Sequence, residues 1–203
     1  MPRVKAEHLK KRRDEILKSA EKCFARLGFH RATMHDVIAE SGLSAGCLYS
    51  YFKSKHELIA AIATDRHDGE RRIVAQAVDA SDPRQALARI ARQFAANFLS
   101  PEGIETRRVS VQTWSEALLD PEILALVREG VDGPRAALVK LVRAAQKKRQ
   151  ISQSLDADSV ARALIALYYG FILQKLWQED IRPQHYLKVV DAFVAGLESY
   201  TAR

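Results

Sequence analysis

Between Thr33 and Lys55 the chain gathers hydroxyls, ammonium groups and very small residues: Thr33, Ser44, Ala45, Gly46, Cys47, Tyr49, Ser50, Tyr51, Lys53 and Lys55. No nucleophile-base pair and no Gly-rich phosphate loop is evident, so no catalytic residue is expected. The six histidines (His8, His30, His35, His56, His67 and His185) show no metal-ligand spacing with Cys23 or Cys47, so neither a metal nor a cofactor is expected. What such a set does well is hold a polyanion. Hydroxyls and ammoniums contact phosphate oxygens, and side chains as small as Ala45 and Gly46 let a helix press against a duplex. Ser50 suits a base edge or a phosphate. Lys55 and Thr33, at helix starts, add to the phosphate-binding N–H groups there. Tyr49 and Tyr51 suit phosphate contact or an ordinary amphipathic surface. Cys47 has the position of a redox-sensitive thiol, but no resolving cysteine is evident beside it.

Helical periodicity runs through nearly the whole chain, and no strand-like alternation stands out. Ile16, Leu17, Ala20, Phe24 and Leu27 form the inner stripe of a first helix, closed by Gly28. Thr33 and Asp36 start a short second helix with Val37 and Ile38 inside, and Gly42 ends it. Ser44 caps a third helix that turns Leu48 and Phe52 inward. Ala45, Gly46, Tyr49 and Ser50 therefore point outward or sideways. Ser54 and Glu57 open a fourth helix expected to reach about Ala80. Two short helices joined by Ser41-Gly42-Leu43-Ser44, with the first packed behind, make a helix-turn-helix.

Beyond it, Asp82-Pro83 caps a fifth helix with Leu87, Ile90, Phe94 and Phe98 on one stripe. After a break at Ser100 to Gly103, a sixth carries Val111, Trp114 and Leu118. Asp120-Pro121 starts a seventh, which Gly133-Pro134 is expected to kink or interrupt. Asp156 caps an eighth that is apolar almost all round, and Pro183 opens a ninth. The expected fold class is all-α with about nine helices.

The chain has 203 residues, 47% of them hydrophobic and 28% charged, as in ordinary globular proteins. No apolar run is long enough to span a membrane, and no apolar segment of a secretory signal follows the basic N-terminus. Two cysteines are too few for a disulfide framework, and a reduced, cytoplasmic setting is expected. Of the net charge of +7, a surplus of five lies between Met1 and Ala60, where twelve Lys or Arg face seven Asp or Glu. A basic end on a near-neutral body suits a polyanion. The run Lys10 to Arg13 reads as a mobile tail or as an arm reaching the minor groove or flanking phosphates.

The stretch ATMHDVIAESGLSAGCLYSYFKSKHELIAAI closely resembles the DNA-binding segment of the TetR family of bacterial regulators. The matching residues are Thr33, Ile38-Ala39, Gly42, Leu48-Tyr49-Ser50-Tyr51-Phe52, Lys53-Ser54-Lys55 and Glu57-Leu58. The rest of the chain resembles the family in helix count and in ALIALYYGFILQKL, similar to the family's eighth helix. One departure is Cys47, where the family commonly has a phosphate-contacting Thr; the backbone N–H remains there. The resemblance implies a two-fold dimer reading a palindromic operator, an N-terminal DNA-binding domain over residues 1–56, and an effector-binding and dimerisation domain over residues 57–203. The fourth helix joins the two.

On that footing Phe94, Phe98, Gln112, Trp114, Leu118, Tyr168, Phe171 and Gln174 are the effector-pocket candidates, the glutamines as groups that orient a ligand. Leu167, Gly170, Phe193, Val194 and Leu197 are the dimer-seam candidates, because helices this apolar must bury more than one face. The expected function is sequence-specific DNA binding by a homodimeric repressor released from a palindromic operator by a small, largely apolar effector, with no enzyme activity and no membrane partner. The alternative is a helix-turn-helix protein without an effector, acting constitutively or through a protein partner.

Overall fold

The computed structural model describes residues 2–75, 81–178 and 180–198, and every regular element among them is helical. In chain order these are α1 (Pro2–Leu27), α2 (Met34–Ser41), α3 (Ala45–Tyr51), α4 (Lys55–Ala75), α5 (Pro83–Leu99), α6 (Pro101–Glu116), α7 (Pro121–Lys147), α8 (Ala157–Trp177) and α9 (Pro183–Gly196). The expected end of α4 near Ala80 lies outside the described residues. Among the described residues no helix is long and apolar enough to cross a membrane.

The helix ends sit where local chemistry puts them. The Thr33 hydroxyl accepts from the Asp36 amide and the Asp36 carboxylate accepts from the Thr33 amide, a reciprocal cap on α2. Gly42 closes α2 at φ 64, the left-handed region where a side chain is strained. Ser44, Asp82 and Asp156 cap α3, α5 and α8 with side-chain oxygens. Asp120 accepts from the amides of Glu122 and Ile123 and so caps α7. Of the expected kink or interruption at Gly133-Pro134, the interruption does not occur: α7 continues as one helix through Pro134. Buried Ile123 before the proline and buried Leu138 and Leu141 after it anchor the turns on both sides of the one missing N–H.

Two compact units emerge. The first comprises residues 1–66 and 105–127, the second 67–104 and 128–203. The division falls later in α4 than the expected cut after His56, and a segment expected in the second domain belongs with the first. The reason is packing: Val109, Ala117 and Ile123 share a core with Ile16, Phe24, Val37, Leu48, Phe52, Leu58 and Ile62. The second unit has its own core, built on Leu87, Ile90, Leu141, Val160 and Val190, with Arg92–Asp191 (3.1 Å) tying α5 to α9 and Arg84–Glu198 (2.8 Å) tying it to the residues just after α9.

Candidate DNA interface and ligand cavity

In the first unit, α3 is held by the two inward side chains that its periodicity predicts: Leu48 and Phe52 are buried in the core shared with Phe24 and Val37. Ala45, Gly46, Tyr49, Ser50 and Lys53 are exposed, and their spacing of three and four places them on one face of the chain's third helix and its exit. Tyr49 keeps 42% of its surface exposed, a large value for an aromatic residue with a core beneath it. A Cβ built on Gly46 meets nothing within 4 Å, so no internal contact requires glycine there.

Several expected phosphate contacts are already engaged within the chain. The Thr33 hydroxyl donates to Asp36 at 2.7 Å, and the Thr33 amide donates to the same carboxylate at 2.8 Å. Thr33 therefore serves the cap and places a carboxylate beside it. The Cys47 amide, expected to remain available, donates to the Ser44 hydroxyl at 3.2 Å. The Ser50 hydroxyl donates to the Cys47 carbonyl at 2.6 Å, which leaves its oxygen as an acceptor. Cys47 and Tyr51 are half-buried, and Ser44 is exposed. Lys55 starts α4 as expected, but its ammonium donates to the carbonyls of Phe29 (2.6 Å) and Ala32 (3.0 Å). It fastens the α1–α2 loop rather than projecting to a partner.

The opposite side of that loop is fastened too. Gln112, expected at a ligand, accepts from the Phe29 amide at 2.7 Å and donates to the Phe24 carbonyl at 3.2 Å. The backbone N–H and C=O of Phe29 are thus held by α6 and α4, while its ring packs edge-on against Phe24 at 5.1 Å. Sequence reasoning missed both clamps. The basic run near the N-terminus is helical rather than an extended arm. Arg13 pairs with Asp65 at 3.3 Å and lies over the Phe52 ring, and Arg12 pairs with Glu15. Cys23 is fully buried, and that burial pushes its thiol pKa up, which suits packing rather than reactivity.

The second unit contains a cavity of about 90 Å³. Of the expected pocket residues, Phe94, Tyr168 and Phe171 line it. Phe98 lies fully buried behind Phe171, ring centroids 5.5 Å apart. Gln112, Trp114 and Leu118 belong to the first unit; Leu118 falls in the turn after α6 with 82% of its surface exposed. Gln174 is exposed on α8 and does not line the cavity. Glu70, Tyr169 and Tyr186 do line it and were not anticipated. Only the four-residue step from Glu70 to inward-facing Val74 hinted at the first. The Tyr186 hydroxyl donates to the Leu167 carbonyl, closing one wall.

The seam candidates also separate. Val194 is 3% exposed in the core, and Leu197 packs against that core. Leu167 lines the cavity. Phe193 is exposed and Gly170 half-buried, and two large apolar residues not anticipated on the same helices are exposed too: Trp177 at 74% and Val189 at 66%. Among the described residues, no group of three or more His, Cys, Asp or Glu is placed to hold a metal ion.

Residues 16–62 match the family described as bacterial regulatory proteins, tetR family, and residues 83–198 match the BetI-type transcriptional repressor, C-terminal. The chain is similar to the HTH-type transcriptional regulator UidR of Escherichia coli K12, 25% identical over 186 residues that cover 91% of this chain and 92% of UidR. It is similar to the HTH-type transcriptional repressor Rv1474c of Mycobacterium tuberculosis, 27% identical over 191 residues, 94% of this chain and 95% of the relative. Among solved structures, a putative transcriptional regulator from Saccharomonospora viridis in complex with choline superposes with a TM-score of 0.77 at 26% identity, covering 91% of this chain and 96% of its own.

Proposed function

The chain belongs to the TetR family of bacterial regulatory proteins, and on that premise we propose that it is a homodimeric repressor that leaves a palindromic operator when a small, largely apolar effector fills the cavity of the second unit. The observation that carries this reading is the outer face of α3. Ala45, Gly46, Tyr49, Ser50 and Lys53 form a polar, basic, small-residue surface over a fully engaged core, with open space at Gly46. Such a face fits a major groove, with Tyr49 and Lys53 on phosphates and Ser50 accepting at a base edge or a bound water.

Dimerisation supplies the second half-site. Ala166, Gly170, Leu173 and Trp177 share one face of α8, and Val189, Ala192, Phe193 and Gly196 share one face of α9; every one is exposed or half-buried. Two such faces from two copies are suited to a helical bundle with the small residues allowing close approach. Release follows as a population shift: the effector favours a form in which the two reading heads no longer match half-sites set about one helical turn, or a multiple of it, apart. Helix α4 is the proposed carrier, because its first turn belongs to the first unit and Glu70 and Val74 near its end line the cavity. The M. tuberculosis relative is named a repressor, and the S. viridis relative holds choline, a small molecule. Both are consistent with this assignment. The test is operator binding with and without candidate ligands. Release at ligand concentrations that also raise the melting temperature supports it, and an operator complex indifferent to every stabilising ligand favours constitutive action instead.

A further inference from the structure

Two surfaces of the first unit leave large apolar side chains in water. One is the turn between α6 and α7. Leu118 and Leu119 there are 82% and 81% exposed, and Pro121 beside them is exposed too. The turn beneath them is held firmly. Ala117 is buried, and the amides of Leu118, Leu119 and Asp120 donate to the carbonyls of Ser115 and Glu116. The Asp120 carboxylate caps α7 and bonds His56 at 2.9 Å. A backbone fixed in this way presents both leucines with little left to order on binding. The other surface is the start of α1. Leu9 lies two turns ahead of Ile16 on the inner stripe of that helix, yet Ile16 is fully buried and Leu9 is 47% exposed. The stripe runs past the end of its core.

The two surfaces carry opposite charge. The segment from Val109 to Val127 holds Glu116, Asp120 and Glu122 and no Lys or Arg, whereas residues 1–13 hold six Lys or Arg and one acid, Glu7. Lys10 and Lys11, next to Leu9, are exposed. We propose that the α6–α7 turn of one copy docks on the start of α1 of a second copy, with Leu118 and Leu119 against Leu9 and with Glu116 and Glu122 facing Lys10 and Lys11. The two surfaces differ, so the contact is head-to-tail and links one copy to the next. It uses none of the residues of the proposed α8–α9 seam. Few side chains take part, well short of the roughly 1,000 Å² of a stable interface. The contact is therefore weak between free copies and counts most where something else holds copies side by side, as neighbouring sites on one duplex do.

The test is sedimentation velocity of the full chain in low salt, at concentrations up to about 1 mM, where a contact of this size is populated. Growth beyond the stable oligomer is expected, and raising the salt should reverse it. Leu118→Ser combined with Leu119→Ser should weaken the association at least about tenfold, with the helical spectrum unchanged because both side chains are exposed. Lys10→Glu with Lys11→Glu should abolish it, and so should Glu116→Lys with Glu122→Lys. An equimolar mixture of those two variants should restore it to within about threefold of the parent, because the acidic α1 start of one then faces the basic turn of the other. No growth in the parent overturns the proposal and leaves the turn to a different protein. Growth that the double serine variant retains overturns it too, as does a mixture whose components stay apart. If Lys10→Glu with Lys11→Glu lowers affinity for random duplex DNA and leaves self-association unchanged, the lysines serve DNA and the proposal falls.

Discussion

Tyr49 and Lys55 are six residues apart and have opposite fates. Tyr49 stands exposed on the outer face of α3, whereas the Lys55 ammonium is bound to two carbonyls of the α1–α2 loop. Tyr49→Phe removes one hydroxyl from the proposed DNA-facing surface and should weaken operator binding by a few-fold, about 0.5–1.5 kcal/mol, without lowering thermal stability. Unchanged affinity in a quantitative gel shift would remove its phosphate role. Lys55→Met should do the reverse. The melting temperature falls, while the slope of log affinity against log salt changes by well under the one unit a lost phosphate contact produces. Gln112→Ala leaves the Phe29 amide without its acceptor and should cost about 1–3 kcal/mol in a denaturant titration. A variant as stable as the parent would mean that water replaces the glutamine.

These three side chains also mark how far a linear reading goes. Leu48, Phe52 and the exposed character of Tyr49 follow from spacing within one short helix. The partners of Lys55 lie 26 and 23 residues away, and the Phe29 amide is 83 residues from Gln112. Nothing in local periodicity brings a glutamine of α6 to the end of α1. The same limit hid Glu70 and Tyr186, which meet Phe94 and Tyr168 only because five helices converge on one space.

At the level of elements, the helix starts were the most legible feature, because caps are local chemistry. Thr33-Asp36, Ser44, Asp82, Asp120 and Asp156 all cap where their residue types and spacing place them. Which face of α9 turns inward was not legible, since the helix is apolar on two sides. Ion pairs to α5 from Asp191 of α9 and from Glu198 just beyond it accompany the burial of Val190 and Val194. The caps carry a pH signature. Hydrogen bonds from Thr33 hold the Asp36 pKa down, and backbone amides chiefly do so for Asp82, Asp120 and Asp156. A carboxylate lowered in the folded state contributes stability that is complete above its unfolded pKa and is lost as pH falls through the folded one. The melting temperature should therefore be nearly flat down to about pH 4 as far as these groups are concerned, then decline below it. Asp120→Asn should reduce that acid-dependent decline, and an identical pH profile would count against the cap's contribution.

At the scale of the whole molecule, the chain joins a helix-turn-helix unit to a cavity-bearing unit through helices that contribute residues to both. The proposed seam puts Trp177, Val189 and Phe193 between copies, not the buried Val194 that apolar pattern alone nominated. Val189→Asp combined with Phe193→Asp should give a monomer in analytical ultracentrifugation, with operator affinity falling steeply because one half-site is lost. A double variant that still sediments as a dimer would move the seam elsewhere.

The central claim is that the outer face of α3 reads a specific duplex. The most direct measurement is selection of genomic fragments by the purified chain, followed by affinity for the enriched sequence and for random DNA across a salt series. Enrichment of a palindromic site bound at least about a thousandfold more tightly than random DNA at physiological salt is expected. Weak binding that is blind to sequence and vanishes at moderate salt would contradict it.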